Sequence, residues 1–229
     1  HSQFLDPGAL VICNALSCNI AGDMYYGDGD LVLAVREYRQ GLMLDPDDGN
    51  LLNSLGVCYA QMNRHKASVE CFQKACRSAG DQFMALYNLG LEQQIRNEKI
   101  PAIDSFSEAL GLPEQNGEER ARKDMSFQLG VLCVEAHRYK EGLDLLTPWY
   151  TSEKQRGRGG TALRFLGEAC FRVGDHRDAV KYLQQAMRYD EYDGEVLGLL
   201  GEMYLKENEG DDIALRFCEK AVELNPDSL

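Results

Sequence analysis

The chain has 229 residues, with 24 Lys and Arg against 37 Asp and Glu for a formal charge of −13, and 44% hydrophobic residues. That apolar share is too high for an intrinsically disordered chain, and the acidic balance gives no general attraction to phosphate backbones or anionic lipid surfaces. Nucleic acid and membrane are not expected partners, and the longest nearly apolar stretch, 9–22, is interrupted by Asn14, Ser17 and Asn19 and is too short to span a bilayer.

The opening His1-Ser2-Gln3-Phe4 has neither an initiator Met nor the basic segment of a signal peptide. Residues 1–14 read as a leader into the first helix, and the chain as a fragment or processed form. The eight cysteines, at 13, 18, 58, 71, 76, 133, 170 and 218, form no Cys-x-x-Cys pair and fall within helical patterns. Free thiols in a reducing cytoplasm are the expectation.

Beyond the leader the chain repeats. A Gly follows an apolar residue at Gly22, Gly56, Gly90, Gly130, Gly167 and Gly201, at spacings of 34, 34, 40, 37 and 34. Before these stand Ala21, Leu55, Leu89, Leu129, Leu166 and Leu200. After them come the small residues Ala34, Ser68, Ala102, Gly142, Ala179 and Ala214, and four positions later Tyr38, Phe72, Phe106, Leu146, Leu183 and Cys218. The pattern predicts two helices in each of six units: 15–48, 49–82, 83–122, 123–159, 160–193 and 194–228. A Gly inside a helix costs about 1 kcal/mol relative to Ala. A close approach by the neighbouring helix backbone is expected to offset it at each site.

Leu55-Gly56-Val57-Cys58-Tyr59, the Gly174-Asp175 turn followed by Ala179, and the closing Leu44-Asp45-Pro46 and Leu224-Asn225-Pro226 resemble the tetratricopeptide repeat family. The resemblance covers 15–228 and implies an all-α fold, an α-solenoid wound as a right-handed superhelix of about six helix-turn-helix units. More weakly, Phe4-Leu5-Asp6-Pro7-Gly8, the Asn19 to Asp23 stretch and the Asn53 to Tyr59 stretch resemble repeat arrays of bacterial signalling proteins that carry GGDEF-type domains. No residue of such a catalytic domain is present.

Several positions depart from the family pattern. Gln93 and Cys133 occupy the usual aromatic site of the first helix. Pro148 is expected to kink or stop the second helix of the fourth unit, because it lacks an N–H and crowds the carbonyl of Asp144. Trp149 stands where Gly41, Ala75, Ala109, Ala186 and Ala221 stand elsewhere, and the Gly-rich 151–160 follows. A disturbed junction between the fourth and fifth units is predicted. The charged insertion at 112–122 reads as an exposed loop or an extended helix end. Leu215, Cys218 and Val222 on the last helix are expected to form a bare face, as though further repeats or a cap belonged to a longer protein, and self-association through the terminal faces is a candidate property.

No enzyme motif is convincing. Gly157-Arg158-Gly159-Gly160 lacks the Gly-Lys-Ser/Thr of a phosphate loop, and the Asp45 to Gly49 and Asp28 to Asp30 clusters lack the offsets of a calcium loop and suit turns and helix caps. His65, His137 and His176 fall in turns of different units and read as solvated. No catalytic residue, metal or cofactor is expected.

In the resembled family the first helices line a concave groove. Carried onto this chain, the ligand-facing positions are Asn53 and Val57 in the second unit, Tyr87, Leu91, Gln94 and Ile95 in the third, Phe127, Val131 and Val134 in the fourth, and Arg164, Phe171 and Arg172 in the fifth. An apolar centre with a charged rim suits an extended or helical segment of a partner protein. Its apolar side chains would enter near Tyr87 and Phe127, its backbone would bond Asn53 and Gln94, and a carboxylate would meet Arg164 or Arg172. A slip of one position would instead make Leu91, Ile95 and Val131 supports for neighbouring helices. The family's clamp for chaperone tails is not matched, since Asp124 supplies an acid where a cation is required. The implied function is a non-catalytic scaffold binding a peptide or protein segment; the alternative is a regulatory or oligomerisation region of a larger bacterial signalling protein.

Overall fold

The computed structural model describes residues 14–78, 80–115, 117–153, 157–190, 193–207 and 212–224, all within an all-α architecture. The leader, Cys13 and Asn225-Pro226 lie outside the described residues. The chain divides into two compact units, one ending at Leu112 and the other beginning at Pro113.

The first unit holds α1 (Ala15–Gly27), α2 (Leu31–Leu44), α3 (Gly49–Gln61), α4 (His65–Ala75), α5 (Gln82–Ile95) and α6 (Lys99–Gly111). Short polar side chains start these helices by satisfying N–H groups that have no intrahelical acceptor. Asn14 and Ser17 form a reciprocal capping box on α1, while Asp30, Asp48 and Asp81 accept from the first turns of α2, α3 and α5. The aspartates expected in turns and caps are therefore used there.

Each helix pair closes on its repeat Gly. A Cβ on Gly56 would stand 2.6 Å from Cε1 of Phe72, and on Gly22 and Gly90 it would collide with the rings of Tyr38 and Phe106. The approaching group is thus the ring sixteen residues on, rather than a helix backbone. Tyr38, Phe72 and Phe106 are buried, and the hydroxyl of Tyr38 donates to Asp23 across 2.7 Å. Between the paired helices the chain turns through the left-handed region at Gly29, Asn63 and Asn97, where Gly and Asn carry the least steric cost.

The second unit holds α7 (Glu119–Glu135), α8 (Tyr139–Glu153), α9 (Gly159–Val173), α10 (His176–Ala186), α11 (Gly194–Glu207) and α12 (Asp212–Leu224). The repeat-Gly packing persists: a Cβ on Gly130 would lie 2.7 Å from Cγ of Leu146, and one on Gly167 2.5 Å from Cγ of Leu183. The turns cross the left-handed region at His137 and Gly174. The charged insertion is divided between a loop and an added turn of α7, which begins at Glu119 and is held by pairs between Arg122 and Glu118 at 3.0 Å and Lys123 and Glu119 at 2.9 Å.

Pro148 does not stop α8, which continues to Glu153. Trp149 explains the continuity. Its buried ring packs on Phe127 with centroids 4.5 Å apart, in a cluster with Leu146, Ala162, Phe165, Leu166 and Ala169. The fourth and fifth repeats are therefore joined by a shared core, with the bulk of Trp149 matched by small Ala162 and Ala169 on α9.

Candidate protein-interaction face

In the first unit the first helices α1, α3 and α5 are linked side by side by polar bonds. Asn88 Nδ2 donates to Asn53 Oδ1 at 2.9 Å, and Gln61 donates to the hydroxyl of Tyr26. Asn19 occupies on α1 the place that Asn53 occupies on α3, one repeat later. Its Oδ1 is buried and meets no hydrogen-bond donor among the described residues. An amide left without a partner away from water forfeits free energy that a bound donor would restore.

Beside these amides lie the predicted apolar positions. Val57 is half-buried and packs on Val69, Phe72 and Leu89. Tyr87 is half-buried with its ring 6.1 Å from that of Phe106, Leu91 and Gln94 are half-buried, and Ile95 is 64% exposed. Asn53, Val57, Tyr87, Leu91, Gln94 and Ile95 thus belong to one unit and retain surface.

The second unit corrects part of the expected groove. Phe127, at 5% exposure, and Val131 and Val134 are buried in the Trp149 cluster beneath α9, and Phe171 is buried against Val196, Leu200 and Met203 of α11. These four apolar residues are core, covered by the next repeat, rather than an open strip. The cations are engaged as well. Arg164 lies 4.3 Å over the ring of Phe165 and pairs with Glu195; Arg172 lies 5.1 Å over Phe171 and pairs with Glu202 at 2.7 Å. Lys206 takes the other approach to Phe171 at 4.5 Å and pairs with Glu202 at 3.1 Å. Burial acts to raise the Glu202 carboxyl, but bonds from Arg172 and Lys206 outweigh it and hold the group below its ordinary range. Glu168, between Arg164 and Arg172 on α9, is raised by burial despite both cations.

The other candidate chemistries have structural roles. Cys58, Cys71, Cys133 and Cys170 are buried free thiols, each pushed up to about 11 by burial, which keeps them protonated and poor nucleophiles. Among the described residues no group of three or more His, Cys, Asp or Glu is arranged to hold a metal ion. His65 is more than a solvated turn residue: its Nδ1 lies 2.9 Å from the buried Glu92 carboxylate, tying α4 to α5. His137 meets the hydroxyl of Tyr139 at 2.7 Å, and His176 stands edge-on to Phe171. Asn19 and Asn88 were the residues that groove positions alone passed over. The signal for Asn19 lay in the period, since Asn19 and Asn53 are 34 apart; Asn88 stands one position off that column.

Comparison with known proteins agrees with this architecture. Tetratricopeptide repeat family models match residues 50–82 and 166–228. The chain is 28% identical over 194 residues to human Superkiller complex protein 3, covering 70% of this chain and 12% of that protein's length. Among solved structures it resembles MamA, with a TM-score of 0.63 at 22% identity over 79% of this chain and 94% of that one. It also resembles YrrB, described as a tetratricopeptide repeat protein with an unusual peptide-binding site, with a TM-score of 0.68 at 17% identity over 81% and 91%. No helix among the described residues is long and apolar enough to cross a membrane. These relatives do not bear out the weaker resemblance to GGDEF-linked arrays. The chain carries tetratricopeptide repeats at the matched residues, and within each of its two units the helix pairs stack as an all-α repeat array.

Proposed function

We infer that this chain is a non-catalytic interaction module and that a segment of a partner protein lies across the first helices of its N-terminal unit. The observation that carries this reading is the run of amides at Asn19, Asn53 and Asn88 beside Tyr87, Leu91 and Ile95. The half-buried amides of Asn53 and Asn88 offer hydrogen-bonding groups to an extended backbone, whose N–H and C=O groups recur at regular intervals. A helical segment, whose N–H groups are already bonded, cannot use them in this way. Apolar side chains of the segment would cover Leu91 and Ile95. The charges of the second unit point the same way, because Glu195 and Glu202 already neutralise Arg164 and Arg172, so an acidic segment there would first have to displace them. Phe127, Val131, Val134 and Phe171 are not part of the proposed contact surface. The peptide-binding site named for YrrB is compatible with such a role.

Peptides recovered from a random display library test the proposal. Binding should fall at least tenfold in Asn53→Ala and in Leu91→Asp, with far-UV circular dichroism unchanged; undiminished binding in both variants would reject this face.

The second reading, association between copies, is favoured by α12. Leu215 and Val222 are 45% and 43% exposed, whereas Val180 and Met187, at the same repeat positions of α10, pack on the core beside α11. Light scattering across a concentration series checks it: association should disappear in Leu215→Asp/Val222→Asp, and a mass independent of concentration rejects it.

A further inference from the structure

Pro148 and Trp149 break the repeat pattern, and packing on Phe127 accounts only for Trp149. The Pro interrupts helical bonding on an exposed turn of α8 and leaves the carbonyl of Asp144 without the N–H that residue 148 would otherwise donate. Asp144 also lines a cavity of about 330 Å³ within the second unit, together with Leu145, Pro148, Trp149, Glu114 and Glu119. Arg122 and Lys123 also reach it, but both are engaged, Arg122 by Glu118 and the carbonyl of Pro113, and Lys123 by Glu119. Among the described residues no cation is paired with the carboxylates of Asp144 and Glu114. The cavity therefore combines apolar lining from Leu145, Pro148 and Trp149 with two carboxylates, and the carbonyl released by Pro148 belongs to one of those two residues, Asp144.

We propose that this cavity is a docking site for an arginine side chain of a basic partner protein. A guanidinium is planar, lies flat on an exposed ring such as that of Pro148, and carries five donors in a fixed fork. It can bond the Asp144 carboxylate and the released carbonyl together while its stem covers Leu145. An ammonium group has no plane to lay on such a ring, so arginine is preferred to lysine. The net charge of −13 adds long-range attraction for a basic segment without setting the site. This site is separate from the face proposed on the N-terminal unit and does not depend on it.

Trp149 is the only tryptophan in the chain, so its fluorescence and its indole N–H resonance report this site alone. The experiment titrates the intact chain with a tetra-arginine peptide, and with tetralysine in parallel. A saturable Trp149 response is expected, with tighter binding of tetra-arginine. Loss of one charge-assisted bond should weaken it about fivefold or more in Asp144→Asn. Pro148→Ala should weaken it too, because Ala returns an N–H to the carbonyl, and this variant is expected to be at least as stable as the wild type. Asp47→Asn removes the same charge from an exposed turn of the other unit and should leave the titration unchanged. An absent or non-saturating response, equal weakening by Asp47→Asn and Asp144→Asn, or equal affinity for the two peptides would overturn the proposal.

Discussion

Gly56→Ala isolates the packing rule of the array. The new Cβ would stand 2.6 and 2.8 Å from Cε1 and Cδ1 of Phe72, well inside the ordinary contact distance. The Phe72 ring is 1% exposed and is held by Val69 and Leu89, so it has no space into which to withdraw. Overpacking of this kind costs about 1–3 kcal/mol, against which Ala regains about 1 kcal/mol of helix propensity. A net loss of about 1–2 kcal/mol is expected at the upper end of that overlap. Gly27→Ala is the matched control, since a Cβ there meets nothing within 4 Å and should only gain stability. Urea unfolding followed by circular dichroism reads both. Phe72→Leu should partly relieve Gly56→Ala, giving a coupling of about 0.5 kcal/mol or more in a double-mutant cycle. A Gly56→Ala variant as stable as the wild type would refute the close-packing explanation of the repeat glycines.

Other outcomes follow from the second unit. Phe127→Ala should cost about 3–5 kcal/mol as a buried truncation, whereas Tyr87→Ala, half-buried, should cost less; comparable midpoints in urea would contradict the core assignment of Phe127. Glu168 has a folded-state pKa above its unfolded value, so the native state holds the extra proton and stability falls as pH rises through that interval. Glu168→Gln should therefore be more stable than the wild type at about pH 7 and indistinguishable below about pH 3; an advantage that persists at low pH would rule out this cause. His137 sits at φ 61°, in the place taken by Asn63, Asn97 and Gly174 in other repeats. His137→Gly should raise stability by about 0.5–1 kcal/mol in thermal unfolding, less whatever the bond to Tyr139 contributes; a loss would mean that this bond outweighs the strain.

The helix pairs were legible because solenoid packing is local and periodic: Gly22, Gly56 and Gly90 each face a ring sixteen residues later, and that spacing is written directly in the chain. The face toward the neighbouring repeat was less legible. Phe127 and Val131 sit at positions that elsewhere keep surface, but Trp149 widens the cluster in this repeat and draws them into the core. Pro148 does not stop α8 for a related reason, because a helix anchored by Trp149 absorbs the loss of one hydrogen bond. Arg164 and Arg172 were rightly placed on first helices, yet their partners, Glu195 and Glu202, are thirty or more residues away and became apparent only once α9 and α11 lay side by side. The amide row was within reach of the sequence, since Asn19 and Asn53 share one repeat column; the unmatched oxygen of Asn19 was not.

Hydrogen–deuterium exchange of the chain, with and without a peptide selected from a random display library, tests the central proposal most directly. Protection is expected on α3 and α5 around Asn53, Tyr87 and Leu91, and it should be lost in Asn53→Ala. Protection confined to the second unit, with α3 and α5 unchanged, would contradict the account.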